Sequence, residues 1–370
     1  MPSFPIPIDC VKNIAPYQPG KPIEELAREL SLDPETIVKL ASNENPLGCS
    51  KLVAQEMSRE LNDAARYPDG SGYALKDRLC SKLGIEADNL ILGNGSNDIL
   101  EMAAIAFLDR DRSAIYSEFC FVVNKLATQS RAAKGIEVPS VDYGHDLGRM
   151  HDSIKNDTRI VFISNPNNPT GTFIPPAEVL RFIESVPEHI LVILDEAYYE
   201  YLPENLQSES VNWIKRFSNL LVTRTFSKIY GLASFRVGYG IASPSIAEIL
   251  NRVRQPFNVN SYGLAAAAKA LSDDSFVQAS VHANNAGMKQ LISVAEELEL
   301  AFIPSHGNFL TIQFKQTGAE IYTKLLERGI IVRPLGGYGL HNHLRVSIGL
   351  ERENERFCLA LKSIMSTLEN

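Results

Sequence analysis

A lysine beside a hydroxyl group is the first sign of chemistry in this chain. Lys228 follows Ser227, and Arg236 stands eight residues further on. The primary amine of a lysine condenses with an aldehyde, and it becomes nucleophilic when burial or nearby cations lower its pKa. Taken alone, Lys228 is most simply a surface lysine. The hydroxyl and the guanidinium, both suited to an anion such as phosphate, instead favour a covalent role.

A carboxylate and two hydrogen-bond donors follow apolar segments upstream. Asp195 ends an aliphatic run, where an unpaired charge would be costly. A protonated pyridine nitrogen would suit it, and Tyr198 and Asn168 could donate to an oxygen of the same ring. A metal-binding acid at Asp195 would need the glycine-rich loop of a nucleotide site, which the sequence lacks. Asn168 alone is also compatible with a plain Asn-Pro turn.

A phosphate site is predicted where a short strand turns into a helix. Ser96 and Asn97 follow Gly95 at this junction, and the free amides of a helix start attract anions. Ser227 and Arg236 could complete the site, although Arg236 alone is compatible with a surface ion pair. An amine, an acid, ring-oxygen donors and phosphate ligands together match pyridoxal phosphate (PLP) and few other ligands.

Two arginines and two histidines near the carboxyl end are further candidates for binding roles. Arg333 and Arg345 lie in apolar segments, where a guanidinium needs an anionic partner. Each could hold a substrate carboxylate or phosphate, and an internal salt bridge is nearly as good an interpretation for each alone. His341 and His343 have no third ligand at a useful spacing, so a histidine pair in a loop is favoured and no metal site is predicted.

The elements that must position these residues predict an α/β fold. Apolar runs alternate with helical patterns, which indicates a mostly parallel sheet flanked by helices. Strands are predicted at 89–93, 159–164, 190–194, 220–223 and 237–241. Most of the polar motifs follow these strands, and ligands sit at the carboxyl ends of such sheets.

Longer helices and shorter strands after about residue 261 predict a smaller α+β domain. The predicted division is an N-terminal segment over 1–50 that joins the small domain, a large cofactor-binding domain over 51–262, and a small C-terminal domain over 263–370. The boundaries rest on the change of pattern alone.

Bulk properties exclude several classes of protein. The 370 residues carry a net charge of -8 with no basic run, which excludes nucleic acid as a partner. No apolar run is long enough to span a bilayer, and the first residues lack the features of a signal peptide. Five widely spaced cysteines favour reduced thiols and a cytoplasmic location.

The complete pattern resembles the fold-type I PLP-dependent aminotransferases of class II, and among them the histidinol-phosphate aminotransferases. The resemblance covers almost the whole chain and rests on Ala15-Pro16-Tyr17-Gln18-Pro19-Gly20, Asn43-Glu44-Asn45-Pro46, Arg66-Tyr67-Pro68, Pro166-Asn167-Asn168-Pro169-Thr170-Gly171, Asp195-Glu196-Ala197-Tyr198, Phe226-Ser227-Lys228, Arg333-Pro334 and Tyr338-Gly339. The lysine and Asn-Pro-Thr-Gly blocks are specific for the superfamily. The segment Ala15-Pro16-Tyr17-Gln18 and the arginines Arg333 and Arg345 indicate the histidinol-phosphate branch of the superfamily.

The resemblance implies a role for each site residue. Lys228 would bind the cofactor and shuttle a proton, Asp195 would pair with the ring nitrogen, and Tyr198 would contact the ring oxygen. The cofactor would further be held by Ser96, Asn97, Asn168, Ser227, Arg236 and, from the other subunit of a homodimer, Tyr67. The substrate would meet Tyr17, Asn168, Arg333 and Arg345.

The reaction implied by the resemblance is transamination between L-histidinol phosphate and 2-oxoglutarate, in histidine biosynthesis. Three alternatives stay open at this point. They are an aromatic amino-acid aminotransferase, a threonine-phosphate decarboxylase on the same fold, and a cofactor-binding regulatory module without turnover.

Two segments depart from the family pattern. The family usually has Pro-Thr-Tyr-x-x-Tyr after a Ser-Glu pair, and the last tyrosine stacks on the cofactor ring. Here the stacking position falls on Asn124, unless Phe119 or Phe121 takes its place. The second departure is Ala233-Ser234-Phe235 before the arginine, where Ala-Gly-Leu is usual.

Overall fold

A computed structural model of the protein describes residues 5–12, 14–16, 19–60 and 63–368. The strands are β1 (Val38–Lys39), β2 (Leu90–Gly93), β3 (Ser113–Ser117), β4 (Lys134–Val138), β5 (Thr158–Ser164), β6 (Leu191–Asp195), β7 (Leu220–Thr225), β8 (Gly238–Ala242), β9 (Phe302–Ile303), β10 (Phe309–Gln313), β11 (Ile330–Ile331), β12 (Arg333–Pro334) and β13 (His343–Ser347). In this part of the chain, no helix is both long and apolar enough to cross a membrane.

The helices surround two main sheets. They are α1 (Asp9–Lys12), α2 (Ile23–Leu30), α3 (Lys51–Glu60), α4 (Tyr73–Leu83), α5 (Ser96–Phe107), α6 (Val122–Ser130), α7 (Leu147–Asp152), α8 (Pro176–Ser185), α9 (Ser210–Trp213), α10 (Pro244–Val253), α11 (Ser261–Ala270), α12 (Asp274–Glu297), α13 (Gly318–Leu326) and α14 (Glu351–Leu368).

The larger sheet has seven strands in the order β2-β8-β7-β6-β5-β3-β4. Neighbouring strands run parallel except on both sides of β8, which is antiparallel to β2 and to β7. This confirms the predicted α/β fold with a mostly parallel sheet. The predicted strands match β2, β5, β6, β7 and β8 to within a few residues, whereas β3 and β4 were not predicted.

Both faces of this sheet are buried. Successive side chains of a strand point to opposite faces, and each face packs against its own apolar cluster. In β5, Val161 and Ile163 pack into one apolar cluster, and Ile160 and Phe162 pack into another. The first cluster includes buried residues of α4, α8 and α11, and the second includes residues of α5 and α10. Burial on both faces explains why the strands read as continuous apolar runs rather than as alternating patterns.

The smaller sheet is antiparallel, with the order β12-β13-β10-β9. Its core is shared with α12, α13 and α14, and Val38 and Leu40 of the N-terminal segment belong to the same cluster. Strand β1 also pairs in parallel with β11, with Val38 opposite Ile330. The N-terminal segment therefore packs on the C-terminal part of the chain. The domain boundaries near residues 50 and 262 stay a prediction.

Candidate active site

One edge of the seven-stranded sheet collects most of the predicted site residues. Strands β2, β5, β6 and β7 end at this edge because they run parallel, and β8 starts there because it runs the other way. The edge borders a cavity of about 190 Å³. Ten predicted residues line this cavity: Ser96, Asn97, Asn168, Asp195, Tyr198, Ser227, Lys228, Arg236, Arg333 and Arg345.

Lys228 points into this cavity rather than away from the protein. Its Nζ donates a hydrogen bond to the carbonyl oxygen of Ser42 at 3.3 Å and lies 5.8 Å from the centre of the Tyr198 ring. Burial lowers the pKa of the lysine to about 8, and the charges of Arg345 and Arg236 act in the same direction. A substantial fraction of the amine is therefore neutral and nucleophilic near pH 8.

Asp195 is the last residue of β6 and is 6% exposed. Its Oδ1 accepts a hydrogen bond from Thr223 Oγ1 at 2.9 Å. Burial raises the pKa of this carboxyl group to about 6, and the Thr223 hydroxyl only partly offsets that rise. A cationic pyridine nitrogen would favour the charged carboxylate and lower the pKa again. The environment of Asp195 therefore fits the ring nitrogen of PLP.

Tyr198 and Asn168 are both arranged to donate hydrogen bonds into the cavity. Tyr198 Oη accepts from Asn43 Nδ2 at 2.9 Å, which leaves its own proton to donate. Burial raises the pKa of Tyr198 to about 12, so the phenol stays protonated. Asn168 Oδ1 accepts from Arg345 Nη1, which leaves the amide NH2 group as the donor. Both residues therefore fit the ring oxygen of the cofactor.

A phosphate cradle lies where β2 turns into α5. Ser96 begins the helix, and the guanidinium of Arg236 donates to Ser227 Oγ at 3.4 Å and to the carbonyl of Ala233 at 3.0 Å. Gly95 has a φ of +84°, and a Cβ at this position would lie 2.6 Å from Arg236 Nη2. Only glycine therefore allows this close approach. Helix amides, hydroxyls and a guanidinium together fit the phosphate of PLP.

The two late arginines are neighbours across a strand pair. Arg333 on β12 lies opposite Arg345 on β13, and both line the cavity. Arg345 is 7% exposed, and its Nη2 donates to the carbonyl of Ala41 at 2.8 Å. Together with the bond from Arg345 to Asn168, this arrangement holds one guanidinium firmly at the cavity wall. The pair fits an anionic group of a substrate.

Two further residues, Tyr17 and Tyr67, were predicted for this site. Tyr17 lies outside the residues that the structure describes. Tyr67 is 82% exposed, and its ring stacks on that of Phe257 with centroids 4.8 Å apart. In its own chain Tyr67 does not contribute to the cavity, as expected for a residue that serves the site of another subunit. Its role stays a prediction.

The sequence left the aromatic stacking position open between Asn124, Phe119 and Phe121, and the structure favours Phe121. Phe121 lines the cavity, whereas Asn124 is 1% exposed and does not. Helix α6 begins at Val122, so Asn124 falls in its first turn with its side chain in the protein interior. The helix start, which the sequence pattern did not locate, decides which side chain faces the cavity.

A buried ion pair behind Asp195 was not anticipated from the sequence. Arg224 Nη2 lies 2.8 Å from Glu196 Oε2, and the two side chains are 5% and 3% exposed. Ser210 Oγ also donates to this carboxylate at 2.8 Å. The pair joins the end of β6 to β7 beside the site. The sequence does contain a signal for this ion pair. Glu196 is a charged residue directly after Asp195, and Arg224 is a charged residue in the next apolar run.

The predicted loop position of His343 is also wrong. This histidine is the first residue of β13 and is 3% exposed, whereas His341 is exposed in the preceding turn. Over the described ranges, no group of three His, Cys, Asp or Glu side chains could hold a metal ion.

Known proteins with sequences similar to this chain include histidinol-phosphate aminotransferases. The family profile described as aminotransferase class I and II matches residues 35–361. A histidinol-phosphate aminotransferase of Methylobacillus flagellatus is 53% identical over 96% of this chain and 96% of its own. Histidinol-phosphate aminotransferase 2 of Nitrosospira multiformis is 50% identical over 97% of this chain and 92% of its own.

A solved structure shows the same fold. It is the histidinol-phosphate aminotransferase of Sinorhizobium meliloti in complex with pyridoxal-5'-phosphate, with a TM-score of 0.91, 24% identity and 99% of each chain covered. The sequence matches extend over nearly the full length of this chain and of its relatives. The protein therefore belongs to the class I and II aminotransferases and, within them, to the histidinol-phosphate aminotransferases.

Proposed function

We propose that this protein binds PLP at Lys228 and transfers an amino group between L-histidinol phosphate and 2-oxoglutarate, in histidine biosynthesis. One observation carries the proposal: the Lys228 amine, the Asp195 carboxylate and the guanidinium of Arg345 line the same cavity. Relatives at 50–53% identity bear the name of this activity. When bound, the cofactor supplies an aldehyde carbon that takes up the amino group and a ring that withdraws electrons.

The protein's own residues hold the cofactor and move protons. Asp195 would keep the ring nitrogen protonated, and Tyr198 and Asn168 would each donate to the ring oxygen. Lys228 would attach the cofactor through Nζ and, when its amine is released, accept a proton from the substrate α-carbon. A pKa of about 8 suits this task, since an amine near the working pH both accepts and returns a proton.

One anion site would serve both substrates. Arg345 and Arg333 lie opposite each other on the paired strands β13 and β12, and both line the cavity. A guanidinium binds a carboxylate or a phosphate through the same two-pronged geometry. Glutamate would place a carboxylate there, and histidinol phosphate would place its phosphate there. The two half-reactions would therefore alternate in a single pocket, with one product leaving before the next substrate binds.

The active form would be a homodimer in which Tyr67 reaches the cofactor phosphate of the partner. Exposed aromatic side chains support the proposal: Tyr67 is 82% exposed and stacks on Phe257, which is 47% exposed, and Tyr73, six residues further along the chain, is 73% exposed. Exposed aromatic surface of this kind indicates a contact with another protein. The five free thiols are compatible with a cytoplasmic location, which we also propose.

The purified holoenzyme tests the reaction directly. With 2-oxoglutarate as acceptor, kcat/KM for histidinol phosphate should exceed that for phenylalanine or tyrosine by about a hundredfold, because a phosphate carries nearly two negative charges toward the two arginines and a carboxylate carries only one. Release of carbon dioxide from threonine phosphate should be absent. Equal or better turnover of the aromatic amino acids would overturn the substrate assignment, and no turnover of any amine would overturn the activity.

A further inference from the structure

A row of three aromatic rings connects the smaller sheet to the loop that carries Phe121. The rings of His343 and Tyr143 have centroids 5.6 Å apart and meet edge to face at 66°. The Tyr143 ring in turn lies 6.0 Å from that of Phe119, with an angle of 33°. These separations are those of favourable aromatic pairs. The row therefore forms a continuous contact from β13 to the turn after β3.

His343 begins the row as a buried ring on the same strand as Arg345. It is 3% exposed, and neither ring nitrogen has a hydrogen-bond partner among the described residues. Burial lowers the pKa of His343, so the ring is neutral and offers an aromatic surface. Positions 343 and 345 are two residues apart on β13, which places both side chains on one face of the sheet.

Tyr143 holds the middle of the row on a tight turn. Asp142 and Tyr143 have φ angles of +48° and +63°, in the left-handed region that non-glycine residues seldom adopt. Such conformations persist where the surrounding structure holds them. Backbone hydrogen bonds between Val141 and Gly144 close the turn in both directions. The turn therefore presents the Tyr143 ring to its two neighbours in a defined orientation.

Phe119 ends the row two residues before Phe121, whose side chain lines the cavity. The carbonyl of Phe119 accepts a hydrogen bond from Asn167 Nδ2 at 2.8 Å. The next residue, Asn168, accepts from Arg345. A shift of the row would therefore change the position of Phe121 and of the Arg345–Asn168 contact together.

We propose that the row His343–Tyr143–Phe119 sets the spacing between Arg345 and Phe121, and that His343 is a positioning residue for the reaction. This inference rests on the proposed function. His343 does not line the cavity, so it acts through the two rings and through the strand that it shares with Arg345. The row ensures that a substrate bound at the arginine meets the cofactor at the right distance.

Three variants of the holoenzyme test the proposal. His343→Ala removes the first ring, His343→Phe keeps an aromatic ring of similar size, and His341→Ala changes an exposed histidine two residues away as a matched control. In His343→Ala, KM for glutamate and for histidinol phosphate should rise about tenfold with a smaller change in kcat, because small misplacements are costly. His343→Phe should lie within about twofold of the wild type, since the shape is kept.

Hydrogen exchange gives a readout that needs no substrate. Amides of residues 117–121 should exchange about tenfold faster in His343→Ala than in the wild type, in the apoenzyme as well. His343→Phe and His341→Ala should match the wild type. Tyr143→Leu, in a partly exposed turn, removes the middle ring and should repeat the pattern of His343→Ala if the latter does not fold.

Two outcomes would overturn the positioning role. One is unchanged exchange and unchanged KM in both His343→Ala and Tyr143→Leu. The other is a His343→Phe variant that behaves like His343→Ala, because the ring would then not be what matters. Absence of transaminase activity in the wild type would instead contradict the proposed function, and the exchange data would still decide whether the row holds the loop.

Discussion

Asn43 Nδ2 donates a 2.9 Å hydrogen bond to the hydroxyl of Tyr198. The amide oxygen of Asn43 accepts from Ser347 Oγ at 2.9 Å, and its backbone carbonyl accepts from Asn308 Nδ2 at 3.0 Å. Asn43 thus links the N-terminal segment both to Ser347 of the smaller sheet and to Tyr198 at the cavity. Because Tyr198 Oη is already an acceptor, its proton is directed to another partner, which is the role expected of a donor to a cofactor oxygen.

The contact between Asn43 and Tyr198 predicts non-additive effects. Asn43→Ala and Tyr198→Phe should each lower kcat/KM about tenfold, the size of one buried hydrogen bond. The double variant should lose less than the product of the two, because both changes remove the same link. Steady-state kinetics of the four proteins measure the coupling, with thermal unfolding to verify that each is folded. Strictly multiplicative losses would show that the two residues act independently.

Replacing Lys228 should abolish turnover. Lys228→Ala removes the amine, and Lys228→Arg keeps a positive charge without a nucleophile. A comparison of the two variants therefore separates the effect of losing the charge from the effect of losing the nucleophile. Both should lose at least about a thousandfold in kcat, since positioned proton transfer alone contributes on the order of 10²- to 10⁴-fold. Borohydride treatment and peptide mapping should place the fixed cofactor on Lys228 in the wild type. A fixed cofactor on another lysine would refute the assignment.

Attachment of the cofactor should depend on pH through Lys228. Burial and the neighbouring arginines lower the pKa of this amine to about 8 from 10.5, and only the neutral amine reacts with an aldehyde. The rate at which apoenzyme takes up PLP should therefore rise with pH, with a midpoint near pH 8, and level off about one pH unit above that midpoint. Arg345→Ala removes a positive charge, so the pKa and the midpoint should move upward. Stopped-flow absorbance measures both, and a wild-type midpoint near 10.5 would contradict the effect of burial.

Arg345 should matter for both substrates. Arg345→Ala removes the guanidinium that lines the cavity and its bond to Asn168, so KM for glutamate and for histidinol phosphate should each rise about tenfold or more. Arg345→Lys should recover part of the loss, because it restores the charge without the two-pronged geometry. A variant that loses only one of the two substrates would contradict a shared anion site.

A mixed dimer tests the role of Tyr67 across subunits. Homodimers of Tyr67→Ala should release PLP about tenfold faster than the wild type, while homodimers of Lys228→Ala should have no activity. In a heterodimer of the two, one site has both an intact Lys228 and an intact Tyr67 from the other chain, so cofactor retention and activity should return at that site. Gel filtration checks the assembly, and an active monomer would exclude the shared site.

The residues at the strand ends were predictable from local pattern. Lys228, Asp195 and Asn168 each follow an apolar run in the sequence, and parallel strands bring their carboxyl ends to one edge of a sheet. The chain order of runs and motifs therefore predicted the fold class, the cofactor chemistry and ten of the cavity residues. Each of these conclusions depends on residue type and on neighbours close in sequence.

Other parts of the site depend on contacts that are distant in sequence. Asn43 reaches Tyr198 because β1 pairs with β11 and because Ser347 and Asn308 hold Asn43 against the smaller sheet. The start of α6 turns Phe121 rather than Asn124 toward the cavity, and the strand β13 buries His343 beside Tyr143. Side-chain direction and long-range pairing follow from packing of the whole chain, so the tertiary structure alone decided these three positions.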